Sequence, residues 1–217
     1  MNNMERAVLS IAYFPPIQFF TKFFKYKVFI EKHEHFVKQT YRNRMLILTS
    51  TGVHSLIVPV KRKNNIPIID IQIDNSVSWQ RNHIKALQTA YGSSPFFYYM
   101  IDEIIEIYTK QYKYLWDLDI DTIQVIFKLL NLDFSLEYTE SFYPPAKDEF
   151  DKLPFKDFRY NIRPKNPPDD EEFVPEPYIQ VFSDKFAFIP NLTILDLIFN
   201  KGPESVEILK NSIKLNE

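Results

Sequence analysis

The sequence contains no cysteine and only three glycines among its 217 residues, and each shortage excludes a class of site. Without cysteine there can be no thiol nucleophile, no disulfide and no cysteine-ligated zinc. Gly52, Gly92 and Gly202 stand far apart in the chain. Phosphate-binding and dinucleotide-binding loops need clustered glycines, because only a bare backbone can approach the phosphate closely. The sequence therefore excludes both kinds of loop.

Long apolar runs are missing as well. No stretch reaches the roughly 18 uninterrupted apolar residues that a membrane-spanning helix needs. The opening MNNMERAVLSIAYFPPIQFF lacks a basic start and a small-residue cleavage site, and Pro15-Pro16 interrupts its apolar run. The formal net charge of −2 predicts no bulk attraction to nucleic acid or to acidic membranes. We therefore expect a cytoplasmic protein with no signal peptide, no membrane insertion and no nucleic-acid partner.

Apolar and aromatic residues are abundant, at 45% and 16% of the chain, which is typical of a globular protein. We predict a single α+β domain over residues 1–217, with a mixed central β-sheet from the N-terminal half covered by α-helices. Predicted strands are AVLSIAYF, KVFIEK, a hairpin, IPIIDIQID, and later YIQVF and FAFI. Predicted helices lie at 78–91, after Ser94-Pro95, from an Asp119 cap to Leu130, and in NLTILDLIFN and PESVEILKNSI. A proline-rich acidic excursion at about 143–178 is either ordered or a mobile flap.

The hairpin QTYRNRMLILTSTGVHSLIVPVKRKNN carries its cations at one end. Arg42 and Arg44 open its first strand, whereas Lys61, Arg62 and Lys63 close its second, and residues 35–69 contain no acidic residue. We predict a three-residue turn over residues 50–52, in which Gly52 tolerates positive φ. This turn places Thr49 opposite Val53 and Arg44 opposite Val58. Since both strands are largely apolar on both faces, we predict that they lie in the middle of the sheet.

Converging cations at the end of central strands indicate a cleft for an anion. Ligand clefts form at strand ends in such folds, and arginine binds phosphate or carboxylate through two hydrogen bonds. The alternative is that these residues are solvated strand ends, with Arg42 or Arg44 paired to the acidic residues 169–172.

Histidine offers two further candidates. His83 lies in the predicted helix WQRNHIKALQTAYG, and we expect the chain to bring it toward Arg44, where a cationic neighbourhood would keep it neutral as a general base. The alternative is a core histidine that does no chemistry. His33 and His35 would face the same side of a strand, as metal ligands require, but no third ligand accompanies them. We therefore predict neither a metal site nor a cofactor.

Several segments together resemble the WbqC-like family of bacterial proteins. They are AYFPPIQFF, HFVKQTYRNR with a hairpin ending in VPVK, IDNSVSWQRNHIKALQTAYGSSPFF, PYIQVF and PNLTILDLIFNKGPES. The resemblance implies a role in O-antigen and related lipopolysaccharide synthesis, with acyl or aminoacyl transfer to an amino sugar or nucleotide sugar. Lys38, Asn43, Arg44 and His83 match polar positions of the family motifs, and Asn75 and Tyr91 fall in the same blocks.

We therefore predict a transferase that acts on an anionic small molecule such as a nucleotide sugar. The predicted catalytic residues are His83 and Lys38. The predicted substrate-binding residues are Arg42, Asn43, Arg44, Lys61, Arg62, Asn75 and Tyr91. The alternative is a non-catalytic ligand-binding or scaffold protein of the same pathway, which should expose a large aromatic patch instead.

Overall fold

Four short strands form a parallel sheet in the computed structural model, which describes residues 4–61, 65–145 and 154–214. The strands are β1 (Arg6–Ser10), β2 (Lys27–Glu31), β5 (Glu137–Tyr138) and β6 (Lys156–Asp157). The order across the sheet is β5-β2-β1-β6. β1 pairs with β2 from Arg6–Lys27 to Ser10–Glu31, and the chain crosses between them through the first helix.

The hairpin forms a second, two-stranded antiparallel sheet from β3 (Arg44–Thr49) and β4 (Gly52–Ile57). Its predicted place in the middle of the central sheet is therefore wrong. Met45 and Ile47 of β3 are buried, but Val53 and Ile57 of β4 are each 44% exposed. The hairpin is therefore not buried on both faces, although both faces of its strands carry apolar side chains.

The turn of the hairpin is one residue shorter than predicted. Thr49 pairs with Gly52, which places Arg44 opposite Ile57 rather than opposite Val58. Gly52 has φ +111°, so its predicted left-handed conformation is confirmed.

Six α-helices cover the described parts of the chain. They are α1 (Ile17–Lys25), α2 (Trp79–Tyr91), α3 (Phe97–Thr109), α4 (Leu115–Leu129), α5 (Ile194–Lys201) and α6 (Ser205–Asn211). Together with the parallel sheet and the hairpin they confirm the α+β class. None of the helices in these described parts has the length and apolar stretch that crossing a membrane requires.

Three local predictions are wrong. The segment IPIIDIQID holds a 3-10 turn at Ile68–Asp70 and only isolated bridges, because the turn packs against α4 instead of joining a sheet edge. The segments YIQVF and FAFI form no strand. Asp119 lies inside α4 and is fully buried, since the helix begins at Leu115, so it is not an N-cap.

Aromatic packing joins the helices to the sheet. Phe23 of α1 lies 5.1 Å from Phe127 of α4 and 5.7 Å from Phe134, measured between ring centroids. The Phe23–Phe127 contact is edge-to-face, and a contact of this kind adds about 0.5–1.5 kcal/mol to the burial of the rings. This packing fixes α4 and the segment after it against α1, and so positions the strand β5 that follows.

Candidate functional site

A cleft of about 500 Å³ lies at the open end of the hairpin. Its volume is in the range of small-molecule sites, which run from roughly 300 to 1,000 Å³. The polar side chains that line it are Lys38, Gln39, Asn43, Arg44, Lys61 and Asp74, and the remainder of the lining is mostly apolar. The structure thus brings Arg44 and Lys61 together, as the sequence predicted, and adds Lys38 and Asn43 to the same cleft.

Backbone and amide hydrogen bonds hold the walls of the cleft together. The Asn43 side-chain amide donates to the Val58 carbonyl at 2.9 Å, and the Val58 N–H donates to the Asn43 carbonyl at 2.8 Å. The Asp74 N–H donates to the Pro59 carbonyl at 2.8 Å, which fixes the opposite wall. Asn43 is therefore buried, connects the two sides of the hairpin end through Val58, and also lines the cleft.

The cations of the cleft are not neutralised by close ion pairs in the described part of the chain. Among the described residues, Lys38, Arg44 and Lys61 form no ion pair within 4.0 Å, although lysines elsewhere, such as Lys22 and Lys25, do. The Nε of Arg44 is buried and has no hydrogen-bond partner among the described residues. A buried donor without a partner costs about 1–3 kcal/mol, so a bound anion that accepts from it would relieve that cost.

Asp74 gives the cleft one carboxylate beside its cations. Hydrogen bonds from the Ser76 hydroxyl and N–H lower the pKa of Asp74, and Lys61 adds to this effect. Asp74 is therefore ionised near neutral pH. A carboxylate with a lowered pKa is a poor general base but a good acceptor for a hydroxyl or ammonium group.

Arg42, predicted to lie in the cleft, is instead buried beside the parallel sheet. Its Nε donates to Glu34 at 2.9 Å, and its Nη2 donates to Glu34 and to the Ser10 hydroxyl. Burial raises the pKa of Glu34, while Arg42 opposes the shift. Arg42 therefore does not reach the cleft that Arg44 lines.

The ion pair of Arg42 and Glu34 belongs to a larger buried network at the carboxyl ends of the parallel strands. Arg159 binds Asp157 through Nε and Nη2 and donates to Glu31 at 3.0 Å, while Thr139 donates to the other oxygen of Glu31 at 2.8 Å. Sequence analysis missed this network; the available signal was a polar residue at the end of each apolar strand. The cavity beside it is only about 10 Å³, room for about one water molecule at most.

His83 is buried in an aromatic cluster and does not line the cleft. Its Nδ1 lies 3.0 Å from the Tyr13 hydroxyl, which also lies 2.6 Å from the Tyr108 hydroxyl. The Trp79 ring packs edge-to-face on the imidazole at 5.3 Å. Burial lowers the pKa of His83 to about 4, with a smaller opposing contribution from the Ile57 backbone. The imidazole is therefore neutral, but because of burial rather than because of neighbouring cations.

Asn75 and Tyr91 also lie outside the cleft lining. The Asn75 amide donates to the Tyr112 carbonyl, and its oxygen accepts from Trp79, so it connects the start of α2 to the segment before α4. Tyr91 is 1% exposed, and its hydroxyl accepts from the Leu48 N–H at 3.2 Å. Both residues therefore bind other parts of the protein and do not face the cleft.

The acidic residues of the proline-rich segment pair with lysines of α1 and β6. Asp170 binds Lys22, and Glu172 binds both Lys25 and Lys156. The alternative in which Arg42 or Arg44 pairs with residues 169–172 is therefore wrong. Arg42 binds Glu34, and Arg44 forms no ion pair with any described residue. The segment is thus attached to the amino-terminal edge of the parallel sheet, away from the strand ends that carry Glu31 and Ser10.

Two predicted features remain to be placed. Arg62 lies outside the described residues. Nε2 of His33 donates to the Thr139 carbonyl at 3.2 Å, and no group of three potential metal ligands occurs among the described residues.

The family model for the WbqC-like protein family matches residues 12–158, a span that contains the cleft and most of the buried network. This chain belongs to the WbqC-like protein family. Membership suggests a role in biosynthesis related to surface polysaccharides. No curated protein and no solved structure gives a significant match to the chain.

Proposed function

We propose that this WbqC-like protein acts in the cytoplasm in bacterial surface-polysaccharide biosynthesis of the O-antigen type. Its cleft would bind an anionic sugar derivative, such as a nucleotide sugar. The observation that supports this proposal most is the convergence of Lys38, Arg44 and Lys61 in one cleft, where three cations meet one carboxylate, Asp74, and form no ion pair within 4.0 Å among the described residues. Arginine and lysine bind phosphate by charge-assisted hydrogen bonds, so a diphosphate suits this arrangement.

In the enzymatic form of the proposal, the protein transfers an acyl or aminoacyl group to the amine of an amino sugar. Arg44 and Lys61 would hold the phosphates, and Asp74 would accept a hydrogen bond from a sugar hydroxyl or amine. Lys38, which is exposed in the cleft, would stabilise negative charge on the acyl oxygen during transfer. His83 would act on this reaction only by supporting the wall that contains Ile57, since it does not line the cleft.

A second candidate is a non-catalytic ligand-binding or scaffold protein of the same pathway. Two observations favour it. His83 lies outside the cleft, so the predicted base is not beside the predicted cations. On α3, Tyr98 and Tyr99 are 77% and 80% exposed, which supplies the exposed aromatic surface expected of a scaffold.

Thermal denaturation with ligands tests the proposal. We expect a nucleotide sugar to raise the melting temperature of the wild-type protein and of Arg81→Ala, an exposed arginine of α2 outside the cleft. The same ligand should stabilise Arg44→Ala less than it stabilises the other two proteins. Equal stabilisation of all three proteins would place the anion elsewhere and overturn the proposal. Incubation with acyl-CoA or an aminoacyl donor and an amino-sugar nucleotide then separates the candidates, because only the enzyme forms an amide product.

A further inference from the structure

A second depression lies at the opposite end of the hairpin, beside its turn. It has a volume of about 460 Å³ and lies between the turn residues Thr49–Thr51 and the exposed face of α2. Thr49 and Arg44 are five residues apart on one strand, so the depression is roughly 17 Å from the cationic cleft at about 3.3 Å per residue. It is therefore a separate concavity and not an extension of the cleft.

The lining of this depression is rich in hydroxyl groups and poor in charge. Threonine and serine hydroxyls come from the turn, and Thr89 and the Asn82 amide come from α2. Lys85 is the one lysine or arginine among the lining residues, and no acidic side chain lines the depression. This composition differs from that of the cationic cleft, and it does not suit a phosphate or a nucleic acid.

Hydrogen bonds hold the threonine hydroxyls of this depression in place. The Thr49 hydroxyl donates to the Gly52 carbonyl at 2.8 Å, and the Thr89 hydroxyl donates to the Lys85 carbonyl at 2.8 Å. The Thr49 oxygen also accepts from the Thr51 N–H at 3.3 Å and lies 3.1 Å from the Thr51 hydroxyl, which lies 3.0 Å from Nε2 of His54. The oxygens of Thr51 and Thr89 therefore each keep a lone pair, so the surface offers acceptors in fixed positions to a ligand that carries O–H donors.

Apolar surface completes the depression. Phe182 and Ala86 are partly exposed at its wall, and Ala90 lies beneath them. A sugar presents O–H groups at its edge and C–H groups on its faces, so it matches a wall that combines hydroxyl acceptors with an aromatic ring. The volume suits one or two sugar rings, since ligand sites begin at roughly 300 Å³.

We propose that the depression between the hairpin turn and α2 binds a neutral carbohydrate. Its hydrogen-bond acceptors are the hydroxyls of Thr51 and Thr89, and its apolar contact is Phe182. The proposal does not depend on an anion in the cationic cleft.

Nitrogen-15 NMR titration with neutral mono- and disaccharides, with and without N-acetyl groups, tests this site. We expect saturable shifts of the amides of the turn and of the second half of α2. Thr89→Val should weaken binding about fivefold, the effect of one lost neutral hydrogen bond. Thr109→Val is the matched control, because Thr109 is also an exposed helical threonine whose hydroxyl donates to a backbone carbonyl, that of Glu106.

The outcomes separate this site from the proposed function. Unchanged sugar binding in Arg44→Ala, with weaker binding in Thr89→Val, supports an independent carbohydrate site. Absence of shifts with every saccharide, shifts outside the depression, or equal binding by Thr89→Val and Thr109→Val would overturn it. Failure of nucleotide sugars to bind the cleft would leave the result at the depression unaffected.

Discussion

Arg42 and Arg44 are only two residues apart, yet their side chains serve different parts of the molecule. Arg42 is 2% exposed and bonded to Glu34 and Ser10 beside the parallel sheet, whereas Arg44 lines the cationic cleft. Asn43 between them joins the 3-10 turn at Tyr41–Asn43 to Val58. The buried ion pair thus anchors the segment from which Arg44 extends, so stability and ligand binding should separate between the two arginines.

Replacing Arg42 tests the anchoring role. Arg42→Ala leaves the Glu34 carboxylate buried without its partner, and breaking a buried ion pair in this way typically costs about 3–5 kcal/mol. We expect a loss of that size in the free energy of unfolding, measured by urea denaturation. Arg44→Ala should change it by less than about 0.5 kcal/mol or stabilise the fold, because Arg44 has a buried Nε without a described partner. Equal losses in the two variants would contradict the separation.

Replacing Arg44 tests ligand binding. Since a hydrogen bond to a charged group contributes about 1.5–3 kcal/mol, Arg44→Ala should weaken the binding of a nucleotide sugar by roughly ten- to hundredfold in calorimetric titration. Rising salt should weaken binding to the wild-type protein, since its cations are partly exposed, and should do so less for the variant. Arg81→Ala is the control and should bind as the wild type does. Binding insensitive to Arg44→Ala would remove this residue from the site.

The ion pairs of Glu172 predict a stability loss in acid. Burial alone would raise its pKa, but hydrogen bonds from Lys156, Tyr26 and Lys25 outweigh burial and lower the pKa to about 2. The folded-state pKa therefore lies below the ordinary value near 4.5, so the contribution is present above pH 4.5 and is lost as pH falls toward 2. It amounts to about 3 kcal/mol, at 1.36 kcal/mol per pH unit.

Urea denaturation between pH 6 and pH 2.5 measures this contribution. Glu172→Gln should be less stable than the wild type at pH 6, and the difference should shrink as pH falls. Glu171→Gln is the matched control. Glu171 precedes Glu172 in the chain, but it is exposed and has no ion pair among the described residues. A constant difference between Glu172→Gln and the wild type across this range would show that the carboxylate charge is not the cause.

The sequence predicted the features that depend on nearby residues. Helix α2 begins and ends within a residue of its predicted bounds, because its apolar spacing and Gly92 act locally. The convergence of Arg44 and Lys61 followed from hairpin geometry alone. The register error is equally local: a two-residue turn replaced a predicted three-residue turn, and the chain offered no signal that distinguishes them strongly.

The features that sequence analysis missed depend on distant residues. Arg159 and Glu31 are 128 residues apart, and their bond forms only because β6 and β2 both belong to one parallel sheet. The sequence RNR does not indicate that only Arg42 is bonded to a buried carboxylate, so it predicts that Arg42 and Arg44 share one cleft. The segment Ile66 to Asp74 has strand-like alternation, but α4 packs against its 3-10 turn, a contact that no local pattern records.

His83 supports a last prediction, which distinguishes its structural role from a catalytic one. The imidazole is 4% exposed and bonded to Tyr13 within an aromatic cluster. Its folded pKa of about 4 lies below the ordinary value of 6.5, so the unfolded chain takes up a proton first as pH falls. The stabilising contribution of neutral His83 is therefore present above pH 6.5 and is lost between pH 6.5 and about 4.

His83→Gln should lower the free energy of unfolding by about 1–3 kcal/mol at pH 7, since it disrupts a buried hydrogen bond, and should remove this part of the pH dependence. His54→Gln is the control, because His54 is exposed and should change stability by less than about 0.5 kcal/mol. An unchanged melting temperature of His83→Gln together with lost activity would instead assign His83 to catalysis.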